Sequence, residues 1–223
     1  MVVPVFIEPE IDSQLERLVA LSPDELIVAG AGDRAMRERL RAFAANRGAA
    51  ANVRVVSAVR GRASQMNAGA AGAQSDVLLF VHVDTVLPTN ALSLLRDAIA
   101  HGAAWGRFDV RLSGAAAAFR IIERSMNWRS ALTGIATGDQ ALFVRRDVFN
   151  MLGGFAPIAL MEDVEFSGRL KWVGRPFRIR TPVVTSSRRW ERDGIGRTVL
   201  TMWSLRALYA FGASPRFLAR FYR

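Results

Sequence analysis

Residues able to do chemistry cluster at the end of one apolar run. Ser75-Asp76-Val77-Leu78-Leu79-Phe80-Val81-His82-Val83-Asp84-Thr85 places His82 and Asp84 directly after the apolar segment Val77–Val81. That segment is too short for a helix core and suits a strand buried on both faces, as within a parallel sheet. Ligands of open α/β sheets sit at the carboxyl ends of strands. A carboxylate there can hold Mg²⁺ or Mn²⁺, with substrate phosphates completing the coordination. The alternative is a hydrogen-bonded His–Asp pair with no ligand. Other candidates raise the same choice between chemistry and structure. Gly61-Arg62 opens a helix and offers a guanidinium to a phosphate or nucleobase edge. Glu162-Asp163-Val164-Glu165 heads a helix, where acids are favoured by the dipole; one of them held beside a hydroxyl would be a general base. Ser187-Arg188-Arg189-Trp190 reads as a phosphate clamp with an aromatic platform or as a surface loop. Gly30-Ala31-Gly32-Asp33-Arg34-Ala35 matches the dinucleotide pattern G-x-G-x-x-A, yet it follows the second strand, and Ala49–Ser57 holds no acidic ribose ligand. A tight turn explains it better than a dehydrogenase site.

The elements that must position these residues alternate through the first half, the pattern of βαβ units. Strands are expected at Val2–Phe6, Glu25–Ala29, Val53–Ser57 and Val77–His82, and helices at Ile11–Ala20, Arg34–Asn46, Ala63–Gln74 and Pro88–Ala100. After Gly102 the alternation loosens. Strands are expected at Ala104–Leu112, Ala141–Val144 and Pro176–Arg180, and helices at Ala115–Leu132, Asp147–Leu152 and Glu162–Val173, with a turn at Gly153-Gly154-Phe155.

Composition bounds the class. A chain of 223 residues, 51% hydrophobic and 22% charged, has enough apolar surface for a buried core. Without cysteine there is neither a disulfide nor a thiolate site, which fits a reducing, cytoplasmic setting. Met1–Phe6 has no basic segment or cleavage site and reads as a first strand rather than a signal peptide. The net charge of +10 comes almost wholly from arginine, Lys171 being the only lysine, and no nucleic-acid-binding motif accompanies it. Residues 195–223 form an apolar and basic tail, with a helix through Val199–Phe211 and a second at Pro215–Tyr222 carrying Arg216, Arg220 and Arg223. The tail is shorter than the ~20 apolar residues of a bilayer span. Capping the core or joining a homodimer is the favoured reading, and lying on the inner membrane surface is the functional alternative.

Taken in order, these pieces resemble family 2 glycosyltransferases of the GT-A fold, closest to a bacterial branch with a H-x-D-T signature. The resemblance rests on Gly61-Arg62 with Gln65–Gly69, Phe80–Thr85, Trp105–Phe108, Thr137–Gln140, Gly153–Phe155, Met161–Asp163 and Arg188–Trp190. It implies an α/β fold with a mostly parallel, helix-flanked sheet. One GT-A domain would span 1–194, its nucleotide half 1–102 and acceptor half 103–194, followed by the tail at 195–223. It implies transfer of a sugar, with inversion, from a UDP-sugar to an acceptor hydroxyl that the tail suggests is lipid-linked. Pro4, Val5, Phe6 and Glu8 would hold the base and ribose, with Arg62 on the base, and His82 and Val83 on the ribose. Asp84 falls where the family's D-x-D motif binds Mn²⁺ or Mg²⁺. Asp163 falls on the base that deprotonates the acceptor. Gly138, Asp139, Glu162, Arg189 and Trp190 fall on the acceptor and diphosphate side. Ser186 stands where processive synthases have Gln, so a polymer synthase does not follow. Ile7 replaces the family's Asn, and Gly30 its base-reading Asp. These departures keep open a degenerate nucleotide-binding or membrane-surface module. A nucleotidyltransferase would carry a Gly-rich basic signature that Phe6–Asp12 lacks.

Overall fold

Val2 and Phe80 form a single parallel bridge, Val81 N–H donating to the Val2 carbonyl, and this pair joins the two sheets of the molecule. The computed structural model describes residues 1–6, 8, 10–47 and 52–222; Ile7 and Arg223, both noted above, lie outside them. In chain order the first half runs β1 (Val2–Val5), α1 (Ile11–Ala20), β2 (Leu26–Gly30), α2 (Arg34–Arg47), β3 (Val53–Ser57), α3 (Arg62–Ala71), β4 (Val77–Leu79), β5 (Thr85–Val86) and α4 (Ala91–Ala100). The second half runs β6 (Trp105–Leu112), α5 (Ala117–Thr133), a 3-10 turn (Gly138–Gln140), β7 (Phe143–Arg145), α6 (Arg146–Met151), α7 (Glu162–Val173), β8 (Phe177–Thr185), α8 (Arg188–Asp193), α9 (Ile195–Ala210) and α10 (Pro215–Leu218).

The first sheet is parallel in the order β1-β2-β3, and the second is mixed in the order β4-β7-β6-β8-β5, with β6 and β8 parallel. Strand alternation then builds two cores, one on each face. Val3, Val5, Leu79 and Val81 point to the face packed by Leu15, Leu18, Leu40 and Leu95 of the helices. Val2, Leu78 and Phe80 point to the other, with Ala63, Met66, Trp105, Phe149, Phe155 and Phe166. The run at Val77–Val81 is apolar throughout because both faces are covered.

Most elements shift by a few residues from expectation, and three departures shape the site. β8 continues past Arg180 to Thr185, because Pro182 sits opposite Asp109 where the β6–β8 register shifts, a place that tolerates a residue without an N–H. The β4 ladder stops at Leu79, after which Phe80 keeps the single bridge and Thr85 N–H turns back to the His82 carbonyl. Residues 188–193 are helical rather than loop; the Ser187 hydroxyl donates to Glu191 Oε1 at 2.7 Å across the first turn.

Buried charge is concentrated on β6. Arg107, with its side chain 1% exposed, donates to Asp109 Oδ1 at 2.6 Å, and Arg178 on β8 forks onto the same carboxylate at 2.9 and 2.7 Å. A second Arg107 nitrogen donates to the Asn127 carbonyl on α5. Beside it Trp105 donates to the Gly174 carbonyl, and a Cβ at Gly106 would lie 2.4 Å from the Phe177 carbonyl oxygen. Trp105-Gly106-Arg107-Phe108 is therefore a packing element.

Candidate active site

Glycine turns and side-chain-to-backbone bonds fix the geometry at the carboxyl ends of the strands. Gly61 adopts φ +140, a conformation open to glycine, and starts α3 at the sheet edge. From α3, the buried Gln65 amide donates to the carbonyls of Val5 and Ala29, at 2.6 and 3.0 Å, tying the ends of β1 and β2 together. Asn67 bonds both backbone groups of Phe155, and Gly69 passes so close to Val2 that a Cβ would sit 2.4 Å from it. The sequence segment Gly61–Gly69 is thus a clamp holding strands, turn and Arg62 in one arrangement. Gly30-Ala31-Gly32 is a turn: Asp33 caps α2 by accepting from Met36 N–H at 2.8 Å, and a Cβ at Gly32 would strike the Phe6 carbonyl oxygen.

A cleft of about 880 Å³ opens here. Of the residues anticipated from sequence, Pro4, Phe6, Glu8, Arg62, His82, Val83, Asp84, Asp139, Arg189 and Trp190 line it. Val5 and Gly30 are buried behind its wall. Gly138, Glu162 and Asp163 lie just beyond its lining and connect to it through bonds. Gly138 N–H donates to Asp163 Oδ2 at 2.8 Å, and Val164 N–H to Asp163 Oδ1 at 2.7 Å. Each oxygen keeps a lone pair for a further donor. Gly138 also lies against the His82 ring, where a Cβ would come within 2.1 Å of Cε1.

Charges of both signs converge on the cleft. Arg62 reaches Glu162 Oε1 at 3.3 Å across 100 residues of sequence. Burial works against the Arg62 charge, but Glu162 above all, with Asp163 and Asp139, holds its pKa above the ordinary value. Glu162 is pushed up by burial and by the neighbouring Asp163 charge, against the pull of Arg62. His82 Nδ1 faces Asp139 Oδ1 at 3.8 Å, an ion-pair distance rather than a hydrogen bond. Burial opposes ionisation of Asp139, yet His82, Arg62 and Arg206 hold it below the usual carboxylate range. Asp84 has no hydrogen bond or ion pair among the described residues. Among those residues no three His, Asp or Glu side chains gather into a metal cage. One unpaired carboxylate on the wall of this cleft fits a hard cation that takes its other ligands from substrate phosphates.

Sequence reasoning missed several wall residues. Arg60 stacks over the Phe6 ring at 4.2 Å, and Arg192 joins Arg188 and Arg189 on the rim. Thr198 and Met202 on α9 and Tyr222 beyond α10 close the far side, Arg189 lying 3.9 Å over the Tyr222 ring. The tail seats here through Leu205 and Leu218, buried against Leu160 and Met161 just before α7. Its outer face leaves Leu200, Trp203, Leu208 and Phe211 exposed. The only sequence signal for the inner wall was the four-residue spacing of Thr198 and Met202, which puts them on one helix face.

No protein-family model matches the chain, and no curated protein matches it. Solved structures do. S. aureus TarS 1-349 superposes with a TM-score of 0.67 at 14% identity, over 83% of this chain and 59% of that one. Its complex with UDP-GlcNAc gives 0.65 at 15%, over 83% and 57%. Mannosyltransferase PcManGT from Pyrobaculum calidifontis, in complex with GDP-Man and Mn²⁺, gives 0.62 at 18%, over 83% and 55%. The chain therefore spans under two thirds of these neighbours and shares their α/β, GT-A-like fold.

Proposed function

We propose that this chain is a metal-dependent inverting glycosyltransferase that moves a sugar from a UDP-sugar to an acceptor hydroxyl. The observation that carries this reading is one cleft at the strand ends: Asp84, unpaired among the described residues, lines it together with Arg62 and Arg189, while the Asp163 carboxylate, bonded to Gly138 N–H, lies just beyond the lining. The likeness to a UDP-GlcNAc complex and to a mannosyltransferase complex with GDP-Man and Mn²⁺ supports the donor class.

In this reading Phe6 and Glu8 face the base and ribose, with Pro4 and Val5 shaping that wall. Arg62 faces the base from across the cleft, and His82 and Val83 the ribose. Gly30 offers no carboxylate to the base, so base selectivity falls to the Arg60–Phe6 stack and Arg62. Asp84 and the substrate phosphates would hold Mn²⁺ or Mg²⁺, which when bound offsets charge on the departing diphosphate. Arg188 and Arg189 add cationic donors on that side, and Trp190 a flat wall for the sugar. Asp163 takes the acceptor proton as the hydroxyl oxygen attacks the anomeric carbon. Gly138 N–H fixes the orientation of its carboxylate, and Glu162 restrains Arg62. The acceptor is proposed to be lipid-linked, and the protein to work in the cytoplasm at the inner membrane face.

A second reading has its own observation. The exposed Leu200, Trp203 and Phe211 favour a membrane-surface module, or a homodimer contact, without turnover. Among the described residues no helix is long and apolar enough to cross a membrane.

Calorimetric titration of UDP, with Mn²⁺ and again with EDTA, separates these readings. The expected result is metal-dependent binding that D84A abolishes, while D163N binds UDP as wild type does and loses transfer. UDP binding by D84A that matches wild type would sink the assignment of the metal site.

A further inference from the structure

A polar pocket of about 110 Å³ opens between α8, α9 and the residues after α10. Its wall is made by Arg189, Asp193, Arg197, Thr198, Thr201 and Phe221, so it shares Arg189 and Thr198 with the large cleft. Arg192 forks onto its one carboxylate, Asp193, at 2.7 and 3.1 Å, and Arg189 stands 3.8 Å from the same group. That negative charge is therefore met before Arg197 is counted. The Arg197 side chain makes no hydrogen bond or ion pair among the described residues, and neither does the Thr201 hydroxyl, one turn along the same helix face. The pocket is left with an uncommitted guanidinium and an uncommitted hydroxyl, donors suited to an oxyanion.

The surroundings of the pocket select the anion. Phe221 is exposed on the pocket wall and meets Phe217, also exposed, edge to face with ring centroids 5.1 Å apart. Leu200, Leu208 and Phe211 follow Arg197 by 3, 11 and 14 residues, a helical spacing that places them on one stripe, and all three are exposed. From Gly194 onward the sequence holds Arg197, Arg206, Arg216, Arg220 and Arg223 and no Asp or Glu. A free phosphate would gain nothing from the apolar rim, whereas the phosphate of a membrane lipid brings acyl chains that cover it. A segment whose only charges are cationic is likewise drawn to an anionic bilayer surface. We propose that this pocket holds the phosphate of an anionic membrane lipid, with Arg197 and Thr201 as its donors and Leu200, Phe217 and Phe221 entering the acyl region beside it. Because Arg189 and Thr198 line both pocket and cleft, a lipid held there sets the cleft mouth at the bilayer surface. The site rests on the proposed membrane-face setting, to which it gives a specific contact, and not on sugar transfer.

The test compares wild type with R197M, T201V and R220M. Pelleting with vesicles of phosphatidylglycerol and phosphatidylcholine is measured alongside calorimetric titration of inorganic phosphate and of dihexanoyl phosphatidylglycerol below its micelle concentration. Arg220 is exposed and outside the pocket, so R220M reports diffuse charge alone. The expected result is saturable binding of the short-chain lipid that R197M weakens by about tenfold and T201V by about threefold, while R220M stays within about twofold of wild type. Vesicle pelleting should fall in the same order. Equal losses in R197M and R220M would mean diffuse attraction and overturn the pocket. Inorganic phosphate bound as tightly as the lipid, or wild-type protein that does not pellet, would overturn the membrane assignment. Titration of UDP into R197M should match wild type; a loss there would assign Arg197 to the donor cleft and overturn the proposal. If UDP binds neither protein, the transferase reading falls, and Arg197-dependent lipid binding still upholds the site.

Discussion

Arginine is buried twice against helix α5, two residues apart, in opposite ways. At Asn127 the helix meets Arg107, whose guanidinium shares the Asp109 carboxylate with Arg178 and also bonds the Asn127 carbonyl. At Arg129 the same helix presents a guanidinium whose Nε and Nη2 are shut away from solvent with no bonded partner among the described residues. The first cluster is assembled within one sheet, from neighbouring strands in register, where partners are fixed by pairing. The second guanidinium sits on a helix, with no strand pairing to fix a partner for it. Charge that the fold itself completes holds the fold together; a buried donor that the fold leaves incomplete costs stability.

The contrast can be broken most violently at Asp109. D109N removes the negative charge between two arginines, turns one of its two acceptor oxygens into a donor and leaves Arg107 without a counter-charge, at a cost of about 3–5 kcal/mol. Urea denaturation should show that loss as a lower midpoint at unchanged slope. R129M, which removes buried donors that have no partner among the described residues, should move stability the other way, so a shared sign for the two substitutions would erase the distinction.

A smaller effect lies in the acid limb. Burial opposes ionisation of Asp109, but the bonds from Arg178 and Arg107 hold its folded pKa below the unfolded one. Its stabilisation is therefore complete above the unfolded value of about 3.9 and is lost as pH falls through the folded value. Wild-type melting temperature should fall as pH drops below about 4, and the fall should be shallower in D109N. Scanning calorimetry from pH 7 to 3 compares the two slopes.

The smallest effect is expected at Trp203, 67% exposed on the outer face of α9. W203S should change stability by no more than ~0.5 kcal/mol. A loss of pelleting with anionic liposomes in W203S would favour the membrane-surface reading of the tail; equal pelleting would remove this residue from it.

The parts of this architecture legible in sequence are those with a period or a spacing. α1, β3 and α7 begin and end at the residues expected, because alternating or helical apolar patterns and glycine turns mark them. β8 runs past the expected end at Arg180, because a register shift accommodates Pro182 in the ladder. α8 lacks an apolar stripe and is held by Ser187 and Glu191, so no periodicity announces it. The cleft residues at Arg62, His82, Asp84 and Asp139 were legible as short motifs around strand ends. Arg60 and Arg192 were not: a single arginine outside any motif looks like a solvated face until the fold turns it to the cleft.

The contact between Gly138 and His82 also bears on the history of the site. A side chain at position 138 has no room while an imidazole occupies position 82, and the capping box of Thr137 and Gln140 holds the 3-10 turn in place. The two positions, 56 residues apart in sequence, cannot drift independently. Among chains descended from a common ancestor, any that carry a larger residue at 138 should carry a smaller one at 82, so the pair would register as one correlated change.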